Sequence, residues 1–241
     1  MNMLTLYFPK YFLYHLYVMV DIRKIELFKD LEEEELKEIE PYLKPSSFSR
    51  KEVIFTEGDP PDYLYFVMKG KVKITKLSQD GKEIIIEIIS PVDFFGGVAV
   101  IRGFPYPANA VAMEETDILK VSRKDLLRIL DRFPSLMYCM TMNLGDRMRG
   151  AHETLKNIAL ERVEARIVSL LLKLAENLGK QTDEGVLIDM RLSRQDIADM
   201  VGTTVETAIR TMTGFRKSGL IREVDGRVLI TDPKGLSALG S

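Results

Sequence analysis

SRQDIADMVGTTVETAIRTMTGFRKSGLI, residues 193–221, decides how the rest of the chain is read. Ser193 is an N-cap candidate with Asp196 three residues on, and Ile197, Ala198 and Val201 then share one helical face. Gly202 breaks that helix. Thr203 reads as a second N-cap, with Glu206 completing a T-x-x-E capping box. The second helix turns Val205, Ala208, Met212 and Phe215 toward a core and stops at Gly219. Two short helices joined through a glycine turn are either an αα-hairpin that only packs, or a pair that sets its second helix in the DNA major groove.

The residues that follow favour the second reading. LIREVDGRVLIT (residues 220–231) holds two β-rich runs around Asp225-Gly226, a type I′ hairpin signal, and a hairpin in that place is a wing. Arg210, Arg216, Lys217, Arg222 and Arg227 outnumber Glu206, Glu223 and Asp225 there. A local basic surface suits phosphate contacts. The whole chain is not a polycation: 34 Lys and Arg stand against 36 Asp and Glu in 241 residues, a formal charge of −2. Nucleic acid would therefore be held by a localised patch, which suits a sequence-selective reader better than a coating protein.

The lone cysteine, Cys139, excludes an intramolecular disulfide and a four-cysteine zinc or iron–sulfur site within one chain. It reads as a small apolar residue inside a helix, and the expected compartment is a reducing cytoplasm. The first twenty residues, MNMLTLYFPKYFLYHLYVMV, are apolar and aromatic but are interrupted by Pro9, Lys10 and His15. They fall short of the roughly 18 apolar residues of a spanning helix and lack the pattern of a secretory signal, so no membrane is expected as partner. The preferred expectation is a translation start at Met19; an interfacial or packing segment is the second.

Residues 21–43 are expected to be helical, with Leu27, Leu31, Leu36 and Ile39 as an apolar stripe that Pro41 and Pro45 end. Between residues 48 and 121 the period changes to two. The runs are 52–55, 63–68, 71–77, 83–88, 108–112 and 117–121, and many short strands with turns between them imply a sandwich, roll or barrel. A lead-in helix covers 123–133, and Pro134 stands at or near the start of a longer one. There Met137, Thr141, Leu144, Met148, Ala151, Leu155 and Ile158 repeat at 4-3 spacing. That is a heptad seam, which predicts pairing with a second copy; the other reading is a helix packed on its own domain. Gly145 and Gly150 each cost about 1 kcal/mol relative to Ala, so a seam softened there could shift between two packings. A helix over 161–178, with Val163, Ile167, Leu170, Leu171 and Leu174 inward and Gly179 as its C′ residue, and a strand over 186–192 lead back to the opening stretch.

This order of elements resembles the CRP/FNR family of bacterial transcription regulators from residue 21 to about 236. The marks are EGDPPDYLYFVMKGKVKI (57–74), DGKEIII (80–86), DFFGG (93–97) and VETAIR (205–210). The resemblance implies an α+β fold with an N-terminal antiparallel β-roll or jelly-roll sensor domain, a long dimerisation helix and a C-terminal winged helix-turn-helix. The expected boundaries are an atypical segment 1–20, the sensor domain 21–133, the dimerisation helix 134–160 and the DNA-binding domain 161–241. It implies that Glu206 and Arg210 read base edges. The chemistry fits, since a carboxylate accepts from cytosine N4 and a guanidinium binds guanine O6 and N7. The plainer reading of the pair is an i,i+4 surface ion pair of about 0.3–0.5 kcal/mol. Val205 and Ile209 fall at the family's variable positions, where an apolar side chain meets a thymine methyl or simply packs. Thr204, Arg216 and Lys217 complete the expected DNA-facing set.

The sensor site departs from the family pattern. Members that bind cyclic AMP use a glutamate after the cassette glycine, then an arginine–serine pair; here those places hold Gly97, Pro107 and Ala108. The adenine-contacting threonine and serine fall at Ala151 and His152. A buried cyclic phosphate would lack its charge partner, so cyclic AMP is not expected to bind. The expected effector pocket is drawn from Gly96, Gly97, Arg102, Tyr106, Asn109, Arg147 and His152. The effector is left unidentified. Heme would have only His15 and His152 to draw on, iron–sulfur is excluded by the cysteine count, and ligand-free competence is a further option. Expected partners are a palindromic double-stranded operator, a second copy of the chain and, by the resemblance, RNA polymerase. The competing function is a sensory module that binds a small ligand or heme and regulates a protein partner. An enzyme has little support, for want of a metal-ligand cluster, a phosphate-binding glycine loop or a nucleophile–base pair.

Overall fold

A computed structural model describes residues 22–240; the segment 1–20, with its proposed Met19 start and His15, lies outside the described residues. The described chain forms two compact units, residues 22–76 with 86–144 and residues 77–85 with 145–240.

The first unit does not open with one continuous helix, as the stripe of leucines predicts. It has 3₁₀ turns at Ile22–Lys24 and Glu26–Phe28, helix α1 (Glu33–Ile39) and a further 3₁₀ turn at Glu40–Tyr42. Ile25, Leu27 and Phe28 are all buried, and one face of an α-helix cannot bury residues that close in sequence, whereas tight turns can. The Glu35 carboxylate accepts from the Glu32 backbone N–H at 2.9 Å where α1 begins.

Strands β1 (Lys44–Phe48), β2 (Val53–Phe55), β3 (Tyr63–Lys69), β4 (Val72–Leu77), β5 (Glu83–Ile89) and β6 (Phe94–Phe95) come next. Helix α2 (Gly97–Arg102), β7 (Asn109–Ala112) and β8 (Thr116–Ser122) follow. They build two four-stranded sheets, ordered β1-β8-β3-β6 and β2-β7-β4-β5, with every described pairing antiparallel. Inward residues of both, among them Leu64, Phe66, Val72, Ala110 and Ile118, join one apolar cluster. This is the β-roll that the resemblance implies; the alternation by itself leaves sandwich, roll or barrel open. Strands β1 and β6 go beyond it: β1 is polar and contains Pro45, which only an edge strand tolerates, and β6 is two residues long. Ser122 caps α3 (Arg123–Arg132) by accepting from the Asp125 backbone N–H at 3.2 Å.

Helix α4 (Ser135–Leu160) buries Leu136 and Met140 in the first unit's core, with Cys139 half-buried beside them. Its 4-3 row is left uncovered by the described residues: Met137, Thr141, Leu144, Met148, Ala151, Leu155 and Ile158 are all exposed, Met148 by 53% and Leu155 by 65%. Gly145 faces open space and Gly150 only the end of the Lys173 side chain, so no packing within the chain requires a glycine at either place.

In the second unit α5 (Val163–Leu178) leads into β9 (Gly179–Thr182) and β10 (Gly185–Arg191). Helices α6 (Arg194–Val201) and α7 (Val205–Lys217), strands β11 (Ile221–Val224) and β12 (Arg227–Ile230), and α8 (Pro233–Ala238) complete it. Its sheet has the order β11-β12-β10-β9. Ile167, Leu171, Ile188, Ile197, Met212, Phe215 and Ile230 are buried here. Gly179 is not the left-handed cap expected of it: at φ −77°, ψ 137° it opens β9. It must still be glycine, because a Cβ there would lie 2.0 Å from the Ala175 carbonyl oxygen. No described helix is long and apolar enough to cross a membrane.

Candidate nucleic-acid interface

Ser193 starts α6 with a reciprocal cap: its hydroxyl accepts from the Asp196 N–H at 3.0 Å, and the Asp196 carboxylate accepts from the Ser193 N–H at 2.9 Å. Gly202 ends the helix in the left-handed region at φ 66°. The next N-cap is Thr204, not Thr203. The Thr204 hydroxyl accepts from the Thr207 N–H at 3.2 Å. Thr203 is still occupied with leaving α6, since its N–H donates to the Ala198 carbonyl at 3.0 Å. The shift of one residue moves Glu206 out of the capping box and onto the open face of α7. Its own backbone N–H, then the Thr204 hydroxyl, hold the Glu206 carboxyl below the usual range, so it remains an ionised acceptor.

Helix α7 buries Ala208, Met212 and Phe215. The opposite face leaves Glu206, Ile209 and Arg210 exposed, with Thr204 exposed just ahead of them and Val205 half-buried. Among the described residues Glu206 and Arg210 form no ion pair with each other or with a third group, so the guanidinium keeps its donors and the carboxylate keeps the lone pairs its local N–H and hydroxyl do not use. Arg216 and Lys217 are exposed and unpaired in the last turn.

The wing forms as its Asp-Gly turn predicts, with Asp225 at φ 51° and Gly226 at φ 74°, the two positive values a type I′ turn needs. Its cations are less free than composition suggests. Arg222 pairs with Glu184 at 3.0 Å, and Arg227 with Asp189 at 2.9 Å, while Lys180 reaches the same carboxylate at 2.6 Å. Arg194 pairs with Glu223 at 2.7 Å. These pairs tie the wing to the β9–β10 turn, to β10 and to α6. They leave Arg210, Arg216 and Lys217 as the uncommitted cations of α7.

The cassette of the first unit is packed with its own side chains. A Cβ on Gly97 would lie 2.8 Å from Met140 Cε and 3.2 Å from Leu64 Cδ1; one on Gly96 would lie 3.2 Å from Tyr106 Cε1. Tyr106 is 2% exposed and stacks on Phe55 with ring centroids 3.8 Å apart. Its hydroxyl donates to the Tyr63 carbonyl at 2.6 Å and accepts from the Tyr63 N–H at 3.1 Å, and burial pushes the phenol above its usual value. The Asn109 amide accepts from the Glu57 N–H at 2.9 Å and donates to the Thr75 carbonyl at 3.4 Å. Gly96, Gly97, Tyr106 and Asn109 thus lie in or beside the first unit's core, and Arg102 faces solvent. Arg147 and His152 belong to the second unit, His152 exposed on α4. Among the described residues no group of three His, Cys, Asp or Glu is placed to hold a metal.

Residues 45–133 match the cyclic nucleotide-binding domain family and residues 165–239 the Crp-like helix-turn-helix domain. The chain is 30% identical over 213 residues to a CRP-like cAMP-activated global transcriptional regulator of Mycobacterium tuberculosis, covering 88% of this chain and 94% of that one. It is 28% identical over 193 residues to a global nitrogen regulator of Synechocystis, covering 79% and 86%. FixK2 from Bradyrhizobium japonicum shares the fold with a TM-score of 0.73 at 23% identity, over 83% of this chain and 98% of that one. A β-roll, a long helix and a winged helix-turn-helix with an open carboxylate and guanidinium define a two-part DNA-binding regulator. The chain belongs to the CRP/FNR family of transcription regulators.

Proposed function

We propose that two copies of this chain pair along the open row of α4, from Met137 to Ile158, and present their α7 helices to successive major grooves of a palindromic duplex. The observation that carries this reading is the exposed, uncommitted pair Glu206 and Arg210 on the one face of α7 that its core does not use. Arg210 reads guanine, Glu206 reads cytosine, and Ile209 meets the neighbouring base edge. Thr204, Arg216 and Lys217 contact phosphate, and Val205 supports them from its half-buried place. The uncovered row of α4 supports pairing, because an apolar strip of that length left in water is unfavourable. The setting is the cytoplasm, with RNA polymerase as the protein partner.

Cyclic AMP is not the effector. Pro107 and Ala108 supply no charge for a cyclic phosphate, and the glutamate place is Gly97, against which the ends of the Met140 and Leu64 side chains stand.

Selection from a randomised palindromic duplex pool, followed by binding titrations across salt, tests the reading. The expected result is one enriched palindrome with half-sites about 34 Å apart, and affinity falling with a log–log slope of about −0.9 per phosphate neutralised. A monomer indifferent to every duplex in the pool overturns it.

A further inference from the structure

Arg166 lies in the first turns of α5, and its guanidinium faces the ends of two other helices. Nη1 donates to the Ile158 carbonyl, in the last turn of α4, at 3.3 Å. Nη2 donates to the Gly202 carbonyl, at the close of α6, at 3.5 Å. Carbonyls at a helix C-terminus have no partner within the helix and carry the negative end of its dipole. A planar cation with several fixed donors suits two of them at once, where a point charge does not.

Both helix ends matter to the proposed complex. Ile158 is the last member of the α4 row. Gly202 is the turn from which Thr203 and Thr204 launch the recognition helix. The joint between α4 and α5 is short and internally tied: the Glu161 N–H donates to the Asn157 carbonyl at 2.9 Å, and the Ser169 hydroxyl donates to the Glu161 carboxylate at 3.4 Å. The Lys173 ammonium lies 3.5 Å from where a Cβ on Gly150 would stand, so α5 runs back beside α4. The guanidinium thus closes a triangle of helix end, helix start and reading turn, all within the second unit.

We propose that Arg166 is a positioning residue that fixes the angle between α4 and α7, and so the half-site separation that a dimer accepts. The proposal rests on the dimeric reading above. With the clamp intact, a spacer changed by one base pair moves the second half-site along and around the duplex, out of reach of a rigid pair of helices. Without it, each recognition helix pivots on its turn and follows the displaced half-site.

The test measures affinity of the full chain for the selected palindrome and for versions with the spacer one base pair shorter or longer. Wild type is expected to prefer the selected spacer. Arg166→Ala is expected to shrink that preference about tenfold, and Arg166→Lys to shrink it by a comparable factor, because an ammonium cannot fork to both carbonyls. A purely structural loss lowers affinity for all three spacers alike and leaves their ratio unchanged, and that result overturns the proposal. Should the Ala variant not fold, the Lys variant decides by the same ratio. A wild type that binds without spacer preference sinks the paired reading itself; a wild-type preference carried intact by the variants sinks only the clamp.

Discussion

The cassette helix α2 and the recognition helix α7 both follow a glycine in the left-handed region, Gly96 at φ 85° and Gly202 at φ 66°, yet they offer opposite surfaces. Helix α2 buries Gly97, Ala99 and Val100, with Met140 and Leu64 against it. Helix α7 buries every third or fourth residue and leaves Glu206 and Arg210 in solvent, neither in an ion pair with a described residue. The same local punctuation therefore serves filling in one unit and reading in the other. What separates them is what each helix packs against: Met140 and Leu64 close over α2 directly, whereas the sheet and helices behind α7 cover only its apolar side.

The contrast breaks most visibly at Gly97. Glu in that place forces a carboxylate into apolar side chains and overpacks them, with an expected loss of about 2–4 kcal/mol in stability by thermal or denaturant unfolding. A Gly97→Glu chain as stable as wild type would mean that the cassette has room for a ligand-binding carboxylate after all.

Arg210→Ala sharpens the other side. The loss is expected to be about 1–3 kcal/mol of binding free energy, concentrated on one base pair of the half-site in a mutated-operator series. Unfolding stability is expected to move by no more than about 0.5 kcal/mol, because the side chain is exposed and unpaired. Equal weakening on every sequence would make Arg210 a phosphate contact.

The smallest effect is in pH. The Glu206 carboxyl titrates below the ordinary glutamate value of about 4.3, so its acceptor role is complete above that value and is lost as pH falls through the lowered one. Operator preference at the Glu206-dependent base pair, compared with that of Glu206→Gln, is expected to stay constant from neutral pH down to about 5. A decline within that window would show that the carboxyl is not held ionised as its N–H and hydroxyl neighbours dictate.

Some of this was legible in order along the chain and some was not. The Ser193 cap, the Gly202 break, the Asp225-Gly226 turn and the 4-3 row of α4 are relations between residues a few positions apart, and the structure has each of them. The cap of α7 was misplaced by one residue because Thr203 and Thr204 are both good caps, and only the path out of α6 chooses between them. The leucines of the entry segment have helical spacing, which predicts one helix; packing against the β-roll breaks it into turns. Composition offers Arg222 and Arg227 as phosphate-binding cations, but Glu184 and Asp189, 38 residues away in each case, pair with them.

Sequence alone determined the two reading helices, the wing turn and which side chains α7 turns outward, because periodicity and capping act over one or two helical turns; it gave no sign of β9 or α8. Tertiary structure alone decided that the ends of the Met140 and Leu64 side chains stand against Gly97, that wing cations are committed to carboxylates, and that Arg166 meets the ends of α4 and α6. Those outcomes depend on which distant chain segments arrive at the same point, and no local pattern encodes that.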